Sequence, residues 1–241
     1  IYDRVMDHVD YEEWAGYVDA LLSLHAPDAL RVLEFGAGTG RLAEKLSRLR
    51  DVHLTVTDRS RPMLERAEDR LRRAGARADV LRLDFMSPEG EERPPDESYD
   101  AVLLIYDGFN YALTREQATG ILRAAHGFLR PGGVLIFDHV TPANSLNAEN
   151  VFEDRGSEGD TRYTRTSEYD PEGRIHRTTF EISTPEGTFF EEHVQRTWTR
   201  SEVDVFASGG PLEHVAAWDG YTLNPATDRS ERIHRVLRRP A

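Results

Sequence analysis

The sequence predicts an α/β fold: a doubly wound, mostly parallel seven-stranded sheet with a small antiparallel sheet inserted after its fifth strand. Three observations predict it. Short apolar runs such as "VLLIYD" and "VLIFDHV" lack in-out alternation and are separated by segments of helical period, as expected of parallel strands covered on both faces. The first such run ends in three alternating glycines, "EFGAGTG", before a helical segment. After Thr141 the pattern changes to polar-apolar alternation, punctuated by "PEG" at Pro171 to Gly173 and again at Pro185 to Gly187, which are hairpin signals.

Taken in order, Tyr11, Trp14, Tyr17, Val18, Leu21 and Leu22 follow a helical period that stops before Pro27. Arg31 to Phe35 reads as a strand, Leu42 to Leu49 as a helix, His53 to Thr57 as a strand, Pro62 to Ala74 as a helix and Val80 to Leu83 as a strand. Tyr99 to Asp107 is a fourth strand, Arg115 to Leu129 a helix closed by "RPGG", and Val134 to Val140 a fifth strand. Thr161 to Thr199 is expected to form three antiparallel strands. A helix (Ser201 to Ser208) and strands near Leu212 to Trp218 and Arg232 to Leu237 complete the sheet. The expected division is a core of residues 1–144 and 199–241 with an inserted unit at 145–198.

Composition narrows the chemistry. The chain of 241 residues has no cysteine, which excludes disulfides, thiolate metal sites and cysteine nucleophiles. A formal net charge of −13 opposes a polyanionic partner, so nucleic acid is not expected. No apolar run approaches the roughly 18 residues needed to cross a bilayer, and the start of the chain lacks a basic-then-apolar signal pattern; a soluble, cytoplasmic protein with no membrane partner is expected.

Gly36, Gly38 and Gly40 sit between a strand and a helix, where the backbone turns sharply and a ligand can approach without meeting a Cβ. A dinucleotide loop of the G-x-G-x-x-G type needs glycine where Arg41 stands, so a ligand lacking a pyrophosphate fits better than NAD. Asp58 ends the second strand, where an acidic group can accept both hydroxyls of a ribose, or serve the start of the next helix. Asp84 and Phe85 end the third strand, where a carboxylate can take an adenine amine and an aromatic ring can pack on the base. Together they outline a nucleoside pocket.

With these motifs in place, the sequence resembles the class I S-adenosylmethionine-dependent methyltransferases, and within them the small-molecule branch that includes glycine/sarcosine-type and amino-sugar N-methyltransferases. The resemblance rests on "VLEFGAGTGRL", "TVTDRSRPMLERA", "LRLDF", "YDAVLLIYDGFNY" and "LRPGGVLIFD". It implies a Rossmann-like core, S-adenosylmethionine as cofactor and S-adenosylhomocysteine as product. Residue by residue, it implies that Gly36, Ala37, Gly38 and Gly40 line the cofactor's methionyl and ribose parts, that Glu34 meets its amino group or fixes the loop, and that Asp58 binds the ribose. Arg59 and Met63 of the ribose motif join the set, with Asp84 and Phe85 at adenine and Tyr106 and Asp107 near the methionyl group. The N-terminal segment would close over the cofactor through Tyr2, Tyr11 and Trp14.

Methyl transfer requires alignment and exclusion of water more than acid-base help; a base is needed for a hydroxyl acceptor. The sequence offers Asp107, His139 and His193 as bases, with His139 and Asp107 the expected catalytic residues, and Tyr2, Tyr11, Asn110 and His139 are the residues expected to meet the acceptor. His176 and His193 of the insertion read as solvent-facing strand positions. No spaced third ligand accompanies Asp138 and His139, so no metal is expected. The inserted sheet is expected to roof the acceptor site; a homodimer contact through its exposed strand edges is the competing expectation. The acceptor is expected to be a small molecule methylated at nitrogen or oxygen. A nicotinamide-dependent oxidoreductase, or a non-catalytic nucleoside-binding protein of the same fold, are the alternatives.

Overall fold

The computed structural model describes residues 2–90, 92–146 and 151–241. Strands β1 (Arg31–Glu34), β2 (His53–Asp58), β3 (Ala78–Arg82), β4 (Tyr99–Leu104), β5 (Leu129–Val140), β10 (Glu213–Asp219) and β11 (Arg232–Arg238) form one sheet of order β10-β11-β5-β4-β1-β2-β3. β1 to β5 run parallel; β11 runs antiparallel to β5 and β10 antiparallel to β11. Helices α1 (Tyr2–Val5), α2 (Tyr11–His25), α3 (Arg41–Leu49), α4 (Arg61–Ala74), α5 (Arg115–Phe128), α6 (Pro142–Leu146) and α7 (Arg200–Ser208) connect and cover it.

Alternate residues of the central strands feed two apolar layers. Val32, Leu103 and Ile136 pack with Trp14, Val18, Leu21 and Leu46 of α2 and α3. Leu33, Val102 and Leu135 pack with Ile121, Leu122 and Phe128 of α5 and with Val203 of α7. Burial on both faces explains why these strands show no alternation in sequence. The helix starts are coded locally. Asp10 accepts the N–H groups of Glu12 and Glu13, and Thr114–Gln117 and Thr199–Glu202 form capping boxes.

The inserted sheet has four strands rather than the expected three: β6 (Val151–Glu158), β7 (Thr161–Asp170), β8 (Ile175–Thr184) and β9 (Gly187–Arg196), in that order. The "EDRG" of β6 is polar enough to read as a loop. Its Gly156 is opposite Tyr163, whose ring would collide with any Cβ there, so this glycine serves strand packing. The register places Tyr163, Phe180, Ile182 and Phe189 on one face with His176, His193 and Gln195, whereas Ile175 and Val194 point to the other.

Asn110 and Arg174 are among the residues that bind this sheet to the rest of the fold. Asn110, in the 3-10 turn Gly108–Tyr111, donates to the carbonyls of Val140 and Arg196 at 3.1 and 2.6 Å and accepts the N–H of Val140 at 3.0 Å. Arg174, between β7 and β8, makes a two-pronged ion pair with Glu202 of α7, both contacts at 2.7 Å. The second sheet therefore sits against the carboxyl end of the first, where α1 also touches β6.

Candidate functional site

The loop between β1 and α3 is held in an unusual backbone path. Gly36, Gly38 and Gly40 have φ values of 62°, 56° and 73°, a region L side chains adopt with strain. The three glycines do different jobs. A Cβ on Gly36 would touch the Phe85 ring at 3.4 Å, and one on Gly38 would lie 3.7 Å from Tyr2 Oη. A Cβ on Gly40 would stand 3.0 Å from Ala67 Cβ and 3.2 Å from its Cα. Gly40 therefore lets α4 approach the loop.

Asp58 ties the loop to the second strand. One carboxylate oxygen accepts the N–H of Gly38 at 3.0 Å and the other accepts that of Ser60 at 2.8 Å. Asp58 therefore shapes the loop and supports the start of α4, and its carboxylate oxygens keep further lone pairs. Phe85 stacks on Phe35 with centroids 5.9 Å apart, beside Gly36. Asp84 is exposed and closes its own turn by accepting the N–H of Met86 at 2.9 Å. Ala37 donates its N–H to the Thr57 carbonyl, Met63 is half-buried in the first turn of α4, and Arg59 is exposed at the rim.

A small cavity of about 60 Å³ opens at the loop, lined by Tyr2, Tyr11, Trp14, Glu34, Tyr106 and neighbouring residues. Glu34 is the notable group in it. Its side chain is 5% exposed, and burial, with the charge of Asp58 adding, pushes its carboxyl up to about 8. A buried acid in such a place is stabilised by an incoming cation. Tyr2 covers the cavity from α1, and α1 is fastened by Asp3, which accepts from Thr39 Oγ1 at 2.6 Å and from Arg70 at 2.7 Å. At this volume the cavity is smaller than a nucleoside.

The far wall is the turn after β4. Tyr106 and Asp107 have φ values of 72° and 63°, uncommon for residues with side chains. Asp138 on β5 holds them, and Arg232 on β11 bridges Asp107 and Asp138. The Arg232 guanidinium also lies over the rings of Trp14 and Tyr106, at 5.4 and 5.8 Å from their centroids. Burial raises the pKa of Asp107, against the opposing charge of Arg232. Its carboxylate remains 21% exposed and belongs to this ion triad, which makes it a wall of the site better than a free base.

Two further expectations are corrected. His139 points to the α5 and α7 side of the sheet, fully buried beside Phe109 and Phe137, with Nε2 accepting from Arg235 Nε at 3.1 Å. Burial and the neighbouring Arg235 cation drive its pKa well below the usual value, so it reaches neither the cavity nor an acceptor. Asn110 is equally buried and spends its amide on the seam between the sheets. Sequence reading gave no role to Arg232 or Tyr111, weighed Asp138 only as a metal ligand, and offered His193 as a base while reading its position as a solvent-facing strand residue. Arg232 lies 125 residues from Asp107, a separation that no local motif spans. Tyr111 stood in the quoted "DGFNY" without a role.

No helix among the described residues is long and apolar enough to cross a membrane. Residues 32–133 match the methyltransferase domain family. The chain is 25% identical over 240 residues to YqeM of Bacillus subtilis (strain 168), provisionally named a methyltransferase, covering 97% of this chain and 92% of that one. Its fold is that of an S-adenosylmethionine-dependent methyltransferase of Clostridium acetobutylicum, with a TM-score of 0.81, 19% identity, and 100% and 96% of the two chains covered. It is also that of CalS10 from Micromonospora echinaspora, an amino pentose methyltransferase solved with S-adenosylmethionine bound, with a TM-score of 0.73, 21% identity, and 99% and 96% covered. Residues 32–133 of this chain thus form a methyltransferase domain, and the chain over its whole length has the fold of S-adenosylmethionine-dependent methyltransferases.

Proposed function

We propose that the enzyme methylates a nitrogen of a small acceptor molecule that enters between the glycine-loop edge of the first sheet and the inserted sheet, residues 145–198, over the core of 1–144 and 199–241. The observation that carries the reading is Glu34, a buried carboxyl with no side-chain hydrogen bond or ion pair among the described residues, facing a cavity beside the loop that Asp58 ties down. The residues fit the cofactor. Glu34 would hold its ammonium group, Asp58 its ribose hydroxyls, Phe85 its adenine face, and Asp84, through the oxygen not engaged with Met86, its exocyclic amine. Bound there, S-adenosylmethionine supplies an electrophilic methyl group on a sulfonium.

The chain's own contribution is alignment and exclusion of water. Trp14 and Tyr106, whose centroids are 4.9 Å apart, present an aromatic wall with Arg232 behind it. Tyr2 closes the cavity and α1 fastens on Asp3 once the ligand is in place. The four-stranded sheet turns Phe180, His193 and Gln195 toward the turn after β4, which makes it the roof that selects the acceptor. Nitrogen is favoured as the acceptor atom because a sugar N-methyltransferase, KedS8 from Streptoalloteichus, has this fold. The outer edge of β9, with Phe189 and Phe190 53% and 75% exposed, is where two copies would meet if the enzyme dimerises; the site described needs no residue from a second copy.

The test is a screen for S-adenosylhomocysteine release with amines, phenols and carboxylates, run beside a variant in which 145–198 is replaced by a short linker. The reading predicts that an amine stimulates release and that the variant binds S-adenosylhomocysteine without turning the amine over. A phenol or carboxylate as the sole stimulant, or a fully active variant, would contradict it.

A further inference from the structure

The turn after β4 and the inserted sheet meet in a hydrogen-bonded pair that cofactor binding does not use. Tyr111 Oη lies 2.8 Å from His193 Nδ1, with the ring centroids 6.1 Å apart. Phe180 packs edge-on against the imidazole at 5.7 Å. Two residues along β9 on the same face, Gln195 donates to the Asp107 carbonyl at 3.2 Å. The imidazole is thus braced from β8 and held against the segment that carries Tyr106 and Asp107.

The groups around the pair are named easily. Asp107 is on the same turn as Tyr111, Asp58 and Arg59 approach from the end of β2, and Glu191 is two residues before His193, its Oε2 3.8 Å from His193 Nε2. Burial lowers the His193 pKa, with Arg59 acting the same way and Glu191 against it. Burial pushes the Tyr111 phenol up to about 12. At neutral pH both members are uncharged. With the ring proton on Nε2, toward Glu191, Nδ1 accepts the phenolic O–H, and the Tyr111 oxygen keeps lone pairs free to accept in turn.

We propose that Tyr111 and His193 are the proton outlet for the methyl acceptor, whose nitrogen docks against Tyr111 Oη; this rests on the N-methylation reading above. The step balances within the chain. The ammonium N–H bond breaks as its proton goes to the Tyr111 oxygen, and the phenolic proton goes to His193 Nδ1. The acceptor nitrogen becomes neutral with its lone pair free, the imidazole becomes imidazolium, and the positive charge now faces Glu191. The inserted sheet then does more than roof the site, since it supplies the base.

The experiment combines histidine-selective nitrogen NMR with rate measurements, using glucosamine as the acceptor probe and protein saturated with S-adenosylhomocysteine for the spectra. One imidazole resonance, missing in His193→Gln, should stay neutral to lower pH than an ordinary histidine and should shift when glucosamine is added. S-Adenosylhomocysteine release with S-adenosylmethionine and glucosamine should fall about 100-fold in His193→Gln. The acid limb of kcat/KM should disappear with it, and calorimetric affinity for S-adenosylhomocysteine should not change. Tyr111→Phe should lower the rate and alter the His193 titration. An unmoved His193 resonance, or a His193→Gln enzyme with normal rate and acid limb, would overturn the outlet while S-adenosylhomocysteine binding leaves the cofactor site standing. Failure of the parent enzyme to bind S-adenosylhomocysteine would overturn both.

Discussion

Asp138 accepts the backbone N–H of Tyr106 at 2.6 Å through one carboxylate oxygen, while its other oxygen takes the N–H of Asp107 at 3.3 Å and the Arg232 guanidinium. A fully buried carboxylate thereby holds two consecutive residues in the left-handed region. Each such residue costs about 1–2 kcal/mol when it carries a side chain, so the turn persists only because its surroundings fix it.

Replacing that carboxylate should release the turn. Asp138→Asn removes one of the two charges on Arg232 and sets an amide against two N–H donors. A loss of about 3 kcal/mol is expected, as for other broken buried ion pairs, read as a lower urea midpoint, together with weaker S-adenosylhomocysteine binding as Tyr106 relaxes. Unchanged stability and affinity would show that the turn holds itself.

Glu34 makes the protein pH-sensitive in a defined direction. Its carboxyl titrates at about 8 in the folded chain and at about 4.3 when unfolded. The native state thus retains a proton that the unfolded chain has lost. The associated stability is complete below the unfolded value and is lost as pH rises through the folded one. Glu34→Gln should be neutral in acid and should stabilise the ligand-free protein increasingly from about pH 4.3 upward, with the full gain above about pH 8. If Glu34 meets the cofactor's ammonium group, S-adenosylhomocysteine binding at neutral pH should release a proton. Calorimetry in buffers of different ionisation enthalpy should detect it in the parent and not in Glu34→Gln.

The glycines should separate by function. Gly40→Ala forces a Cβ to within 3.0 Å of Ala67 and should lower stability by about 2 kcal/mol. At Gly38 a Cβ meets only the Tyr2 ring, at 3.7 Å or more, so Gly38→Ala should cost about 1 kcal/mol in backbone strain yet lose most of its S-adenosylhomocysteine affinity. Thermal melts and calorimetry on the two variants test this; the opposite ranking would put Gly40 at the ligand and Gly38 in the scaffold.

What was legible in the sequence were the parts written by local rules. The buried parallel strands, the helical period from Tyr11 to Leu22, and the glycine loop each announce themselves within a few residues. The parts that depend on distant partners were not. His139 lies at the right end of the right strand, but strand parity turns it away from the cavity and gives that face to Asp138. Arg232 looks like any charge in "SERIHRV" until β11 pairs with β5 and brings it to Asp138. His193 reads as a solvent-facing strand residue because its cover, Tyr111 and Phe180, comes from other elements.

The central claim is that the glycine loop and Asp58 form the binding site for S-adenosylmethionine, and calorimetric titration of S-adenosylhomocysteine into the parent and Asp58→Ala tests it most directly. Removing the carboxylate also frees the N–H groups of Gly38 and Ser60, so about 1–2 kcal/mol of stability should be lost while the fold remains. The account predicts saturable binding to the parent and a drop of at least about 100-fold in the variant, the loss of two hydrogen bonds to a charged group. Equal affinity in a folded Asp58→Ala protein would contradict it.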